Sequence, residues 1–227
     1  MSESVIQTEG LGKRYGHTLA LDGLDLAVPR GSIFGLLGPN GAGKTTTFGI
    51  LCGWLAPTAG FASVLGQAPQ QLHRLHGRAA VLPQDALFPP QVPVLPQLCH
   101  YGRLMGLGTS ALAEAERVID AVGLTEAKRL RGDQMSHGMM KRLALAQALL
   151  GRPELVLLDE PTSGLDPKSA RAIKDLIASL APATTVLLSS HNLAEVQEVC
   201  THGAILDHGK LVASGSIDEL TRRMAGG

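Results

Sequence analysis

The sequence predicts an α/β fold whose strands form a largely parallel sheet, with a helical segment inserted between two of them. Residues 33–37 are continuously apolar, as in a buried strand, and residues 38–46 form a glycine-rich loop that runs into a helical pattern. A second apolar run, residues 154–158, ends in two acidic residues, which is how a buried parallel strand delivers carboxylates to a sheet edge. Between these runs, residues 94–150 have mainly helical periodicity.

The composition narrows the class of protein. The 227 residues are enough for one α/β unit with an insertion. Hydrophobic residues make up 44% and aromatic residues only 3%, so we expect a core of Leu, Val, Ile and Ala. Basic and acidic residues number 20 each, which gives no basic surface for nucleic acid, and no nucleic-acid partner is expected.

The sequence lacks the patterns of a membrane-spanning segment, a signal peptide, a disulfide framework and a zinc site. No apolar run reaches the roughly 18 residues needed to span a bilayer, and the polar opening is not typical of a signal peptide. We therefore expect the chain to remain in the cytoplasm. Cys52, Cys99 and Cys200 are odd in number and lack metal-ligand spacing, which favours reduced thiols over a disulfide or a zinc site.

The glycine-rich loop has the spacing of a phosphate-binding loop. Gly38, Gly43, Lys44 and Thr45 occupy the fixed positions of G-x-x-x-x-G-K-[ST]. Glycine lets successive backbone N–H groups turn inward, and the following helix directs its N-terminal dipole at the same anion. We expect Lys44 to reach the β and γ phosphates and Thr45 to ligate Mg²⁺. The alternative is a glycine-rich surface turn, which the flanking strand and helix disfavour.

The other elements follow from periodicity and turn residues. Strands are predicted at residues 5–11 and 19–28, with Tyr15 in the turn between them. The further predicted helices are 44–55, 94–105, 109–122, 136–150, 168–180 and 193–200; the further strands are 61–65, 79–82 and 185–188, followed by a hairpin over 204–213.

Taken in order, these features resemble the ATP-binding cassette family, the nucleotide-binding subunits of ABC transporters. Gln84 is similar to the Q-loop glutamine, and residues 155–160 are similar to Walker B followed by the catalytic glutamate. Residues 163–166 resemble the D-loop, His191 resembles the switch histidine, and Tyr15 matches the aromatic position that stacks on adenine. Each motif is weak alone, but their shared order is specific.

The resemblance implies a P-loop NTPase fold. We expect a RecA-like core with an N-terminal antiparallel β subdomain and an inserted helical subdomain. Residues 1–227 would form a single ABC ATPase domain, with residues 1–88 and 152–227 as the nucleotide-binding core. Residues 89–151 would be the helical subdomain that carries the signature motif.

The resemblance also implies ATP and Mg²⁺ as cofactors and gives roles to individual residues. Asp159 would hold Mg²⁺ together with Thr45 and Gln84. Glu160 would orient or deprotonate the attacking water, and His191 would act with it in catalysis. On local sequence alone, residues 159–160 could instead be an acidic capping pair, and His191 a solvated or core histidine. The residues expected to contact ATP are Tyr15, Gly38, Pro39, Asn40, Gly41, Ala42, Gly43, Lys44, Thr45, Thr46, Gln84, Ser136, Gly138 and Asp166.

The signature motif departs from the family pattern. Residues 135–139 read Met-Ser-His-Gly-Met where the usual form is Leu-Ser-Gly-Gly-Gln. The resemblance implies that Ser136 and backbone N–H groups contact ATP held by a second subunit. His137 fits this role if its backbone needs no positive φ, whereas Met139 lacks the polar side chain of Gln. This form is similar to cassettes of the ABC-2 exporter type.

The implied function is an ATP-binding and ATP-hydrolysing subunit of an exporter, lying on the inner face of the cell membrane. It would form a head-to-tail homodimer and power a separate transmembrane permease, with no long C-terminal regulatory domain. Two alternatives remain open: a soluble cassette ATPase acting on ribosomes or DNA, and a degenerate cassette that binds ATP with weak turnover. We hypothesise that residues 84–97 dock the permease through Leu87, Phe88, Val92 and Val94; the alternative is a loop folded back on the helical segment.

Overall fold

The computed structural model describes residues 3–225, which form two sheets and seven α-helices. The strands are β1 (Ser4–Tyr15), β2 (Thr18–Pro29), β3 (Ile33–Leu37), β4 (Ala59–Val64), β5 (Ala79–Leu82), β6 (Leu155–Leu158), β7 (Thr185–Ser190), β8 (His202–Asp207) and β9 (Lys210–Ser216). The helices are α1 (Lys44–Leu51), α2 (Val94–Leu104), α3 (Ala111–Ala121), α4 (His137–Ala148), α5 (Pro167–Leu180), α6 (Leu193–Val199) and α7 (Ile217–Ala225).

The larger sheet has six strands in the order β5-β6-β7-β3-β8-β9. All neighbouring pairs are parallel except β8 and β9, which form the predicted hairpin. Strand β6 is buried on both faces: Leu155 and Leu157 belong to one apolar core, and Val156 and Leu158 belong to the other. This explains why its sequence is continuously apolar instead of alternating. The strand ends of β3, β6 and β7 therefore meet at one edge of the sheet.

The smaller sheet is antiparallel, in the order β2-β1-β4. It packs with α1 against one face of the larger sheet, where its residues share a core with Phe34 and Leu36 of β3. The hairpin turn between β8 and β9 ties it to the glycine-rich loop, because Gly209 accepts a hydrogen bond from Asp22 and donates one to the carbonyl of Ala42.

Helices α2, α3 and α4 lie between β5 and β6 in the chain, as predicted for the inserted segment. Their buried residues, such as Leu98 and Ile119, share a core with α5, α6 and the second face of the larger sheet. The proposed boundaries at residues 88 and 151 stay a prediction. Within residues 3–225, no helix is both long and apolar enough to cross a membrane.

Helix α1 is shorter than predicted, ending at Leu51 and not near Leu55. Gly53 has φ of 74°, and the N–H of Trp54 donates to the carbonyl of Gly49 at 2.9 Å. Gly53, in the left-handed backbone conformation, ends the helix and reverses the direction of the chain. Leu55 then packs against Gly49, where an added Cβ would meet the Leu55 side chain at 2.6 Å.

The docking hypothesis for residues 84–97 is wrong for two of its four contact residues, and docking itself stays a prediction. Phe88 is 8% exposed and Val94 is 1% exposed, and both lie in the core shared with the inserted helices. Leu87 is 91% exposed, so it remains available on this segment. Phe88 and Val94 are thus folded into the core that the inserted helices share.

The three cysteines are free and buried, as expected for reduced thiols. Burial raises the pKa of Cys200 to about 12. It raises the pKa of Cys52 to about 12 as well, with a smaller contribution from the carboxylate of Asp159. Since the thiolate is the reactive form, these side chains are expected to be inert in the folded protein.

Candidate functional site

The glycine-rich loop joins β3 to α1 at the edge where the parallel strands end. Gly38 and Gly43 are required by close approach: an added Cβ would lie 2.4 Å from the Leu206 carbonyl oxygen at Gly38 and 2.9 Å from the Ala20 oxygen at Gly43. Gly43 also has φ of 105°, in the region that favours glycine. Both positions are therefore fixed by the surrounding backbone.

The N-terminus of helix α1 leaves backbone N–H groups available to an anion in this loop. Its N-cap is Gly43, which makes no side-chain capping hydrogen bond, so the first-turn N–H groups lack a capping partner. Lys44 is 7% exposed, and its Nζ donates to the carbonyls of Gly38 at 2.6 Å and Pro39 at 3.1 Å. The ammonium is thus held over the loop, and no ion pair within residues 3–225 neutralises it.

A cavity of about 290 Å³ lies beside the loop. It gathers residues from the phosphate loop, the segment after β5 and the end of β6. The lining residues are Ala20, Pro39, Asn40, Gly41, Gly43, Lys44, Thr45, Thr46, Gln84, Asp159 and Glu160. Gly38 and Ala42 are buried beneath this surface, so they shape the loop from below.

The two acidic residues after β6 are held by a serine from the neighbouring strand. Ser189 is 0% exposed; its Oγ donates to Asp159 Oδ1 at 2.6 Å and accepts from the Glu160 N–H at 2.9 Å. Glu160 has φ of 47°, a strained backbone for a residue with a Cβ. The His191 ring lies against the same carboxylate, with Nδ1 3.0 Å from Glu160 Oε2 and 3.1 Å from Oε1.

The sequence patterns described above assign no role to Ser189. The available signal was a polar residue at the end of a buried strand adjacent to β6 in the sheet. That adjacency becomes visible only once the strand order is known.

Tyr15 is the last residue of β1 and is 45% exposed. Lys13 lies over its ring, with Nζ 5.1 Å from the ring centroid, and donates to the Ala56 carbonyl at 2.6 Å. Tyr15 is not among the residues that line the cavity. Its ring therefore lies outside the cavity that the phosphate loop lines.

The predicted signature and D-loop residues lie elsewhere in the same chain. Ser136 is the exposed N-cap of α4, where its Oγ accepts from the Met139 N–H at 3.2 Å, and Asp166 caps α5 by accepting from Ser169 N–H at 3.0 Å. The hydrogen bonds to Ser169 lower the pKa of Asp166. Gly138 is buried against α5, because an added Cβ would meet Ser169 Oγ at 2.5 Å. None of these three lines the cavity.

His137 is compatible with its position at the start of α4. Five non-glycine residues within the described part of the chain have positive φ, and His137 is not one of them. Helical backbone at this position accepts a side chain without strain. The imidazole extends toward the D-loop, because an added Cβ at Gly164 would lie 3.6 Å from His137 Nε2.

The chemistry of these residues fits a nucleotide whose phosphates are bound together with Mg²⁺. Backbone N–H groups and one buried ammonium suit phosphates, and a hydroxyl with a nearby carboxylate suits Mg²⁺, which usually takes few protein ligands beside phosphate and water. Within residues 3–225, no group of three or more His, Cys, Asp or Glu side chains could hold a metal by itself. A site completed by phosphate oxygens agrees with that finding.

Comparison with known proteins identifies the family. Residues 21–163 match the family model described as ABC transporter. The chain is 36% identical over 220 residues to Nod factor export ATP-binding protein I of Cupriavidus metallidurans, covering 96% of this chain and 73% of that protein. It is 39% identical over 218 residues to the daunorubicin/doxorubicin resistance ATP-binding protein DrrA of Streptomyces peucetius, covering 95% and 66%.

Solved structures agree on the fold. An ATP-binding subunit of an ABC transporter superposes with a TM-score of 0.84 at 26% identity, covering 98% of this chain and 94% of that one. The cbiO1 protein of Clostridium perfringens, part of an ABC transporter complex, superposes with a TM-score of 0.86 at 23% identity, covering 98% and 92%.

The chain therefore belongs to the ABC transporter family, as one of its ATP-binding subunits. This confirms the predicted family, the predicted fold and the ATPase activity that powers transport. Nucleotide binding follows from membership of the family.

Proposed function

We propose that this chain hydrolyses Mg²⁺-ATP in a head-to-tail dimer and powers an exporter permease from the cytoplasmic face of the membrane. One observation carries the dimer proposal. The cavity gathers the phosphate loop, Gln84, Asp159 and Glu160, whereas Ser136 is exposed at the start of α4 and outside that cavity. A second copy would supply the missing side of the site.

The chemistry assigned to each residue follows from its position. Lys44 and the α1 N-terminus bind the phosphates, and Tyr15 stacks on the adenine beyond them. Thr45, Gln84 and Asp159 would hold Mg²⁺, which neutralises charge on the phosphates when bound. Glu160 accepts a proton from the attacking water, and His191 orients that carboxylate through the contact described above.

Ser136 is suited to contact a phosphate on a partner. Its Oγ accepts the Met139 N–H, so the hydroxyl hydrogen remains free to donate. The N–H groups of His137 and Gly138 present the α4 N-terminus to the same anion, since those of Met139 and Met140 already donate to Ser136. Asp166 caps α5 close to this surface and would face the partner's site.

The export direction and the membrane partner rest on the relatives. Proteins named for Nod factor export and for daunorubicin resistance match nearly the whole chain. A groove of about 380 Å³ between β5, α2 and α4 offers the permease an apolar seat, lined by residues that include Leu82, Tyr101 and Leu104. Leu104 is 71% exposed, and Leu87 on the adjacent segment is 91% exposed.

Sedimentation with and without ATP tests the dimer. In a Glu160→Gln background, ATP should convert the chain to a dimer, and Ser136→Ala should weaken that dimer by about 10-fold or more, as expected for loss of one charge-assisted hydrogen bond. Ser110→Ala is the matched control, since Ser110 is an exposed serine that bonds only the Leu107 carbonyl among the contacts described. A chain that stays monomeric with ATP in every background would refute the composite site.

Co-purification with the permease tests the docking groove. Leu104→Glu should release the permease while ATP binding by the isolated chain stays intact. Leu112→Glu is the control, because Leu112 is 53% exposed on α3 and does not line the groove. A complex that survives Leu104→Glu would contradict the assignment.

A further inference from the structure

Lys141 makes an unusual contact for a charged residue. It lies on α4 and is 9% exposed, and its Nζ donates to the backbone carbonyl of Gln84, 57 residues away in sequence. Among the described residues, Lys141 and Lys44 are the two buried lysines. One belongs to the phosphate loop, and the other reaches from the inserted helices to the segment after β5.

The buried surroundings of Lys141 disfavour the charged form of its side chain. Burial lowers the pKa of its ammonium, and the carboxylates of Asp85 and Asp159 act in the opposite direction. No ion pair within residues 3–225 joins Lys141 to either carboxylate. A buried cation without a direct ionic partner destabilises a fold more often than it stabilises it. Stability alone therefore gives a poor account of this lysine.

Gln84 takes part in two separate parts of the structure. Its carbonyl oxygen is bound by Lys141, whereas the residue also lines the cavity beside Lys44 and Asp159. Gln84 itself is exposed, so little packing fixes its backbone. The ammonium is thus the group that holds this residue against α4.

We propose that Lys141 is a positioning residue that fixes the Gln84 backbone so that the glutamine side chain faces the phosphate and metal cavity. The proposal rests on the proposed function. It also connects two sites: α4 begins next to Ser136, which faces the partner's nucleotide, and one turn later carries the lysine that holds Gln84. A displacement of α4 is transmitted directly to the residue beside the γ phosphate.

Arg142 provides a matched control on the same helix. Its guanidinium donates to the carbonyls of Gly123 at 3.2 Å and Gly138 at 3.4 Å, both within the inserted segment. Arg142→Met removes a cation and its carbonyl contacts from α4 but leaves the Gln84 contact in place. Any general effect of loosening α4 should appear equally in this variant.

The first measurement needs no nucleotide. Hydrogen exchange of the amides in residues 84–88 should be faster by about 10-fold or more in Lys141→Met, the change expected when one charge-assisted hydrogen bond is lost. Lys141→Arg should restore the exchange rates of the unsubstituted chain, because it keeps a donor cation. Arg142→Met should leave this segment as it is in the unsubstituted chain. Lys141→Gln, which is shorter and neutral, should behave as Lys141→Met and replaces it if the latter does not fold.

The second measurement separates binding from turnover. Lys141→Met should lower kcat by about 10-fold to 100-fold, with a rise in the Mg²⁺ concentration for half-maximal rate and little change in ATP binding measured in EDTA. Unchanged exchange at residues 84–88, or an equal loss of kcat in Arg142→Met, would overturn the proposal. An unsubstituted chain without ATPase activity would count against the proposed function, while the exchange result would still decide whether Lys141 holds Gln84.

Discussion

The imidazole Nδ1 of His191 lies 3.0 Å from Oε2 of Glu160, and this contact joins the ends of two neighbouring parallel strands. The backbone supports the pair, because Ser189, two residues before His191, accepts the Glu160 N–H. The glutamate is therefore fixed at both its main chain and its side chain, and it lines the phosphate cavity. A carboxylate held this way is placed to act on a water molecule without first reorganising.

We expect His191→Ala to lower kcat for ATP hydrolysis by about 10²-fold or more, because the Glu160 carboxylate loses the group that orients it. The KM for ATP should change little, since the phosphate loop is untouched. Steady-state phosphate release measures both constants. His100→Ala, at an exposed histidine on α2, is the control, and an equal effect there would argue against a specific role for His191.

Removal of the Ser189 hydroxyl should affect stability and turnover together. Ser189→Ala leaves Asp159 and the Glu160 N–H without their buried partner, so we expect unfolding free energy to fall by about 1–3 kcal/mol and kcat to fall as well. Urea unfolding and ATPase assays of the same preparation measure the two effects. Ser179→Ala removes an exposed hydroxyl as the control. If Ser189→Ala has the kcat of the unsubstituted chain, the strained backbone of Glu160 keeps its conformation without this hydrogen bond.

Gln97 on α2 is 4% exposed, and neither its side-chain nitrogen nor its oxygen finds a partner within the described residues. Gln97→Leu keeps a similar volume and removes the unpaired amide, so the unfolding free energy should rise by about 1–3 kcal/mol. Urea unfolding of the isolated chain provides the measurement. A loss of stability would instead indicate that buried water completes the hydrogen bonds of Gln97.

Glu154 gives the fold a defined acid sensitivity. Arg78 and Arg30 donate to its carboxylate and lower its pKa to about 2, from an ordinary value of 4.5. Because the folded pKa lies below the unfolded one, the ionised group stabilises the fold above about pH 4.5, and this is lost as pH falls toward about 2. The carboxylate is 35% exposed, so the effect is modest.

The difference in Tm between the unsubstituted chain and Glu154→Gln should therefore be largest near neutral pH and shrink between about pH 4.5 and 2. Glu126→Gln, at an exposed glutamate, should show no such trend. A difference in Tm that is independent of pH would mean that the arginine contacts stabilise the fold without involving the charge of Glu154.

The phosphate loop could be predicted from the sequence because its determinants are contiguous. Gly38, Gly43 and Lys44 lie in one short loop, and the sequences on either side have the patterns of a buried strand and a helix. The contact between Lys141 and the Gln84 carbonyl could not be predicted in this way. It depends on how α4 packs beside β5, which no local pattern specifies.

Helix α7 was missed although a local signal was present. Ser216 and Glu219 form reciprocal hydrogen bonds at its start, at 3.0 Å and 3.3 Å, which is the arrangement of a capping box. The Phe88 error had a different origin. An apolar residue in a proline-rich loop reads as exposed, and only the packing of α2 and α4 makes the space that buries it.

The most direct test of the account compares Lys44→Ala with Glu160→Gln, by equilibrium ATP binding and steady-state phosphate release on the same preparations. Lys44→Ala should lose useful ATP affinity, because backbone dipoles alone then meet the triphosphate. Glu160→Gln should keep that affinity while turnover falls by about 10²-fold to 10⁴-fold. Equal loss of nucleotide binding in both variants, or normal turnover in Glu160→Gln, would contradict the division between a residue that binds phosphate and one that activates water.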